Sequence, residues 1–170
     1  STERKKKYKY SICYNKNNIK EIKKNLSKEI KDAKIKVISD HFVLETSLKP
    51  MKIISIIKSY DNLNLVGYGS SIEIFKQVGN PRDVVNNFSL KNFSGTHAIG
   101  HTRMATESAI TTDGSHPYST GEDECLVHNG SLSNHNNLRR TLKKNGIEIK
   151  SQNDTEVAAG YLSLIHIWRC

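Results

Sequence analysis

The stretch from Gly95 to Glu156 constrains this chain most, because it sets polar residues beside short apolar runs and tight turns. This stretch contains four polar motifs, at 100–106 (GHTRMAT), 115–117 (SHP), 127–130 (VHNG) and 153–156 (NDTE). Their side chains include groups that can bind, orient and stabilise charge. The candidate functional residues are therefore concentrated in this stretch.

Length and charge describe the rest of the chain. A chain of 170 residues supports one domain of ordinary size. Its net charge of +9 arises entirely from residues 1–36, which hold 13 Lys and Arg against 4 Asp and Glu. The remaining residues hold 13 of each. We interpret the excess as a solvated helix face and a basic tail. A nucleic-acid-binding protein is a weaker alternative, and it predicts salt-sensitive binding that is lost when residues 1–36 are deleted.

Hydrophobic periodicity predicts short alternating elements before Gly95. We expect strands at 7–13, 34–39, 41–46, 63–68 and 71–77, with a hairpin turn at Asp40. Helices are predicted at 19–33, with Asn17 or Asn18 as its cap, and at 50–60 and 81–88, where Pro50 and Pro81 fit the first turn. These elements predict an α+β lobe over residues 1–94.

Residues 95–161 are interpreted first as a core of short elements. Strands are predicted at 97–104, 125–129 and 147–149, with a turn at 121–124. Helices are predicted at 133–144, ended by Gly146, and from a cap at Asn153 or Asp154 onward.

Metal and thiol chemistry find little support in the sequence. His97 and His101 share a face of the predicted strand, but four residues of strand separate them by ~13 Å, too far for one zinc ion. Cys125 lies in an apolar run typical of a buried inert thiol, and Cys13 has no base near it in the sequence. We therefore predict no metal and no cofactor. No run is apolar enough for a membrane span, and three cysteines whose spacings match no disulfide framework favour the cytoplasm.

Three candidate positions have ordinary alternatives. The Asn129 amide and the Gly130 N–H can point at one oxygen and form an oxyanion hole, but Asn-Gly is also a common turn. Arg103 can bind a carboxylate with its planar fork or form a structural salt bridge. Asp154 can bind an ammonium group or simply cap a helix. Taken singly, these residues leave the choice open.

In combination, residues 95–161 resemble the class II glutamine amidotransferase family. The order and spacing of 101–108 (HTRMATES), 115–117 and 126–134 (LVHNGSLSN) look most like the glutaminase subunits of glutamate synthase and N-methylglutamate synthase. The lobe from about Phe42 to Phe93 resembles an insertion of that subgroup. The resemblance implies an α+β fold of four layers, αββα, the N-terminal-nucleophile hydrolase sandwich.

The family resemblance also implies residue roles. Arg103 would bind the α-carboxylate of glutamine and Asp154 its α-amine. Asn129 and the Gly130 N–H would form the oxyanion hole. Thr106 and His116 would line the pocket, while Glu107 stands where other branches have His. The implied reaction is hydrolysis of glutamine to glutamate and ammonia, which a synthase domain or subunit receives.

The sequence departs from the family at the nucleophile. The family's Cys-Gly-Ile start and Arg-Gly-Pro-Asp stretch are absent, and residue 1 is Ser. We therefore interpret the chain as a fragment that binds substrate and is itself inactive. A non-catalytic glutamine-binding or regulatory subunit is the alternative, and a Met-Cys-Gly start upstream would exclude it. Residues 162–170 resemble the translation of a transposon end used in preparing sequencing libraries, and we interpret them as a non-native tail.

Overall fold

A central antiparallel strand, β1 (Tyr8–Tyr14), organises the first part of the protein. A computed structural model describes residues 6–15, 18–103 and 109–168, with side chains up to Ile165. The chain divides into two compact units, Ser1–Phe75 and Lys76–Cys170.

The part of the first unit that the structure describes is a four-stranded sheet with two helices. After β1 come α1 (Ile19–Glu29), β2 (Lys34–Ile38), β3 (His41–Thr46), α2 (Pro50–Lys58) and β4 (Leu63–Gly69). The strand order is β2-β3-β1-β4, and all neighbours are antiparallel. Ser39 has a φ of 57° in the β2–β3 hairpin, where Ile38 pairs with His41. Pro50 occupies the first turn of α2, where its missing N–H costs nothing.

Alternation along β1 and helical spacing along α1 bury one continuous core. Strand residues contribute alternate side chains, and helix residues contribute side chains three or four apart. The buried set is Tyr10, Ile12, Tyr14, Ile22, Leu26, Ile30, Phe42, Leu44, Ile53, Ile57 and Leu63. Lysines occupy the exposed positions of α1, as the sequence pattern indicates.

The described residues of the second unit form three helices and a two-stranded sheet. It contains α3 (Pro81–Asn87), a 3-10 turn (Leu90–Asn92), β5 (Tyr118–Gly121), β6 (Glu124–Leu126), α4 (His135–Lys144) and α5 (Asp154–Trp168). β5 and β6 are antiparallel. A Cβ on Gly160 would lie 3.1 Å from Leu142 Cδ1 and 3.0 Å from Ile149 Cδ1, so glycine lets α5 approach both side chains closely.

Most predicted elements are confirmed to within a few residues. The strands at 8–14, 34–38, 41–46 and 63–69, the hairpin at Asp40 and the helices α1 to α5 all lie where the sequence places them. Gly146 ends α4 with a φ of 75°. Asn18 and Asn134 precede α1 and α4 but make no side-chain capping bond there. Asn17 lies outside the described residues.

Three predicted strands are wrong in the described part of the chain. Residues 71–77 form no strand, and the Ile74 N–H donates to the side-chain atom Ser11 Oγ instead of to a strand carbonyl. Residues 97–103 are irregular and 97–100 are exposed, so their alternation buries nothing. Residues 147–149 are irregular because neighbouring backbone groups bond elsewhere, Ile147 N–H to Leu142 and Lys150 N–H to Glu156. Met104 lies outside the described residues.

The fold class agrees with the sequence at a coarse level. Helices accompany antiparallel sheets in both units, so the protein is mixed α/β. The four-layer sandwich and the domain division after residue 94 stay predictions. No helix in the described residues has the length and apolar character to cross a membrane.

Candidate functional site

The beginning of helix α5 is held by side chains on both sides of its first turn. The Asn153 side chain accepts a hydrogen bond from Thr155 N–H through Oδ1 at 2.9 Å, as a helix N-cap does. Glu156 accepts from the N–H groups of Lys150 and Ser151 at 2.9 and 2.6 Å. Glu156 therefore fixes the chain entering the helix, and the first turn of α5 is a firm support for Asp154.

The Asp154 carboxylate is half-buried and turned toward residues 130–132. Its Oδ2 accepts from Leu132 N–H at 2.6 Å, and its Oδ1 lies 3.5 Å from the Thr155 hydroxyl. Asp154 thus ties the loop after β6 to the helix start. The Oδ1 atom is the carboxylate oxygen directed away from the Leu132 contact.

Arg103 and Asn153 donate to the same carbonyl group. Arg103 Nη1 lies 3.5 Å from the Gly114 oxygen, and Asn153 Nδ2 lies 3.1 Å from it. Gly114 is buried, and its N–H is bonded to the Thr111 hydroxyl at 3.0 Å. The 111–115 turn therefore connects Arg103 to the start of α5, although the sequence separates Arg103 and Asp154 by about fifty residues.

His116 is buried beside this turn among other rings. Its ring centroid lies 4.1 Å from that of His101 and 5.3 Å from that of Tyr118. Among the described residues, neither ring nitrogen of His116 has a hydrogen-bond partner, and neither does Nδ1 of His101. These three nitrogens are also shielded from solvent.

Electrostatics keep the His116 ring neutral. Burial, and to a lesser extent the neighbouring His101, Lys76, Arg103 and His128, together lower its pKa to about 4. Burial also raises the pKa of Tyr118 to about 12. Lys76 is 7% exposed, with Nζ 4.4 Å from the Tyr118 ring centroid and 3.4 Å from the Asp113 carbonyl oxygen. The surroundings of His116 are consequently positive.

Asn129 and Gly130 form the exposed rim after β6. A Cβ on Gly130 would lie only 2.9 Å from His128 Nε2, so the His128 ring lies directly against the glycine. The other ring nitrogen, Nδ1, is 3.4 Å from the Thr155 hydroxyl. Gly130 is therefore connected through His128 to the first turn of α5.

The structure connects Arg103, Asp154 and His116 through the 111–115 turn and the start of α5. Through His128 and Leu132, it also connects the 129–130 rim to α5. Thr106 and Glu107 lie outside the described residues. Sequence reasoning missed Asn153 as a link to Gly114, and it missed the buried Lys76. Asn153 could be recognised only as a cap, and Lys76 gave no signal because a lysine usually stays exposed.

Neither metal nor thiol chemistry is favoured in the described residues. No group of three or more His, Cys, Asp or Glu side chains in that part of the chain is arranged to hold a metal ion. Cys125 is half-buried, and burial raises its pKa. A raised pKa reduces the thiolate fraction, so Cys125 is a poor nucleophile.

Comparison with known proteins gives this geometry a context. Residues 87–165 match a family profile described as a glutamine amidotransferase domain. A glutamine amidotransferase-like protein, GlxB, of Rhizobium meliloti is 63% identical over 102 residues, which cover 60% of this chain and 34% of that protein. A glutamine–fructose-6-phosphate aminotransferase (isomerizing) of Methanosarcina mazei is 36% identical over 123 residues, which cover 71% of this chain and 19% of that protein.

The chain spans only part of these relatives, 34% of GlxB and 19% of the M. mazei enzyme. No solved structure matches it. The profile covers all the motifs that surround the site, from His101 to Glu156. Residues 87–165 are therefore similar to glutamine amidotransferase domains.

Proposed function

We propose that this chain supplies the glutamine-binding part of a class II glutaminase, which hydrolyses glutamine to glutamate and ammonia for a synthase partner. The family match and the names of the relatives support this proposal. We also propose the glutamate synthase type as the subgroup, on the motif resemblance alone. We propose the four-layer αββα sandwich as the fold on the same resemblance.

One observation carries the proposal. Arg103 and Asn153 donate to one carbonyl oxygen, that of Gly114. Asn153 directly precedes Asp154, so a guanidinium and a carboxylate are tied to the same short turn. Glutamine carries an α-carboxylate and an α-ammonium on one carbon atom. A cation and an anion held near each other suit such a zwitterion.

The proposed contacts follow from the charges. Arg103 binds the α-carboxylate, for which its planar fork is suited. Asp154 binds the α-ammonium through Oδ1, since Oδ2 already accepts from Leu132 N–H. His116 and Thr106 line the pocket. The neutral His116 ring, with both nitrogens buried and unpartnered among the described residues, can accept or donate one hydrogen bond to the substrate.

The reacting end of glutamine would lie at the 129–130 rim. A thiolate attacks the side-chain carbonyl carbon, and the developing oxyanion accepts hydrogen bonds from the Asn129 amide and the Gly130 N–H. The C–N bond then breaks, and the amide nitrogen leaves with an added proton as ammonia. Water hydrolyses the thioester and releases glutamate. The family resemblance assigns the thiol to an N-terminal cysteine, a role for which Cys125 is unsuited by its raised pKa.

Weakening either anchor is expected to weaken glutamine binding about tenfold. Arg103→Lys removes the planar guanidinium that can donate two hydrogen bonds to a carboxylate. Asp154→Asn removes the negative charge, while its amide oxygen can still accept from Leu132 N–H. A hydrogen bond to a charged group contributes about 1.5–3 kcal/mol, which corresponds to at least a tenfold change in Kd. The dissociation constant is measured by titrating the 170-residue chain with L-glutamine and following NMR shifts.

Two matched variants control for unspecific effects of these substitutions. Arg140→Lys alters an exposed arginine of α4, and Asp123→Asn alters an exposed turn residue whose φ of 58° asparagine also tolerates. Both should bind glutamine as the unaltered chain does. A chain that shows no saturable glutamine binding would overturn the proposed function, and equal binding by both anchor variants would overturn the assigned roles.

A further inference from the structure

We propose that Asn153 is a positioning residue that sets the separation between the Arg103 guanidinium and the Asp154 carboxylate. This inference rests on the proposed function, because those two groups are the glutamine anchors. Asn153 itself does not contact the substrate. It acts through the Gly114 carbonyl and through the first turn of α5.

The Asn153 side chain is 7% exposed and uses both ends of its amide. Its Oδ1 accepts from Thr155 N–H at 2.9 Å, and its Nδ2 donates to Gly114 O at 3.1 Å. Its backbone N–H donates to Ser151 Oγ at 3.1 Å. One residue therefore bonds the helix start, the preceding loop and a turn 39 residues earlier.

Capping alone does not explain this arrangement. Asn80 caps α3 with the same kind of bond, from Arg82 N–H to its Oδ1 at 2.9 Å, and it is exposed. A cap needs only the oxygen of the amide. The second side-chain hydrogen bond of Asn153, from Nδ2 to the Gly114 oxygen, is not needed for capping and connects the helix start to the 111–115 turn.

Of the two hydrogen bonds to that carbonyl oxygen, the one from Asn153 is the shorter. Arg103 Nη1 lies 3.5 Å from the Gly114 oxygen, at the limit of hydrogen bonding, whereas Asn153 Nδ2 lies 3.1 Å away. Loss of the Asn153 bond would let the first turn of α5, and Asp154 with it, shift relative to Arg103. A ligand held at both ends depends on their separation, whereas a ligand held only by its carboxylate does not.

The test compares two ligands on the variant Asn153→Ser. Serine keeps an oxygen that can cap Thr155 N–H, but it has no amide donor to reach Gly114. The ligands are L-glutamine and 4-carbamoylbutanoate, which is glutamine without its α-amine. We expect the Kd for glutamine to rise about tenfold, while the Kd for 4-carbamoylbutanoate stays within twofold. Asn153→Thr should behave in the same way.

The matched control is Asn80→Ser, which alters an N-cap with no bond to Gly114 and should change neither Kd. Equal weakening of both ligands by Asn153→Ser would show a merely structural role and overturn the inference, as would unchanged glutamine binding. Failure of the unaltered chain to bind glutamine would instead overturn the proposed function. Glutamine binding by the unaltered chain therefore distinguishes a failure of this inference from a failure of the proposed function.

Discussion

Replacing Asn129 by alanine in the full-length protein is expected to lower the kcat of glutamine hydrolysis about 100- to 1000-fold. The loss of one oxyanion-hole donor typically has this effect, because the donor binds the charge that develops only in the transition state. KM should change little for the same reason. Asn129 is exposed at the rim after β6, so its truncation should change the free energy of unfolding by less than about 0.5 kcal/mol.

Steady-state measurement of glutamate release checks this prediction, with urea unfolding as the measure of stability. Asn136→Ala is the matched control, since Asn136 is an exposed asparagine of α4, in the same unit. Normal kcat in Asn129→Ala would contradict the oxyanion assignment. Glutamine binding without any turnover in the unaltered full-length protein would instead favour the non-catalytic, regulatory alternative.

The fold of the first unit was largely predictable because its signals are local. Two-residue alternation identifies strands, and the spacing of Ile19, Ile22 and Leu26 identifies the buried face of α1. The segment 71–77 has the same alternation, yet it is irregular. A strand also needs a partner strand, and the Ile74 N–H is bonded to the Ser11 side chain instead. Strand pairing depends on residues that are distant in the sequence, so a local alternation of apolar residues does not predict it.

The candidate site is a prediction from motif order, and no single residue indicates it. Arg103 and Asp154 each have ordinary structural roles, and only the family pattern suggests that they meet. The structure adds the physical connection, which is the Gly114 carbonyl. A backbone carbonyl has no sequence signature, because every residue carries one. For the same reason, the bond from Asn153 Nδ2 could not be foreseen from its capping position.

The burial of His116 has a consequence for stability at acid pH. The folded protein holds the His116 pKa at about 4, mainly through burial and then through His101, Lys76, Arg103 and His128. In the unfolded chain the pKa returns to about 6.5. Between these values the unfolded chain binds a proton that the folded protein does not. The free energy of unfolding is therefore not reduced by His116 above pH 6.5. It decreases as the pH falls from 6.5 toward 4, because protonation of His116 then favours the unfolded chain.

We expect the second unit to lose up to about 3 kcal/mol of unfolding free energy across this pH range, since each pH unit between the two pKa values corresponds to about 1.4 kcal/mol. Hydrogen exchange of the backbone amides of α4 and α5 reports this loss directly. Asp32, in the first unit, does not interfere, because hydrogen bonds from Thr46 and Ser47 lower its pKa to about 2 and it titrates below this range.

His116→Phe removes the titrating group and should flatten this pH dependence. An apolar ring of related shape is tolerable there, because neither nitrogen of His116 has a partner among the described residues. His97→Gln, which alters an exposed histidine, should leave the slope unchanged. An equal slope in His116→Phe and in the unaltered protein would show that another group causes the acid sensitivity. A flattened slope would show that the positive, buried surroundings of His116 keep its ring neutral in the folded protein.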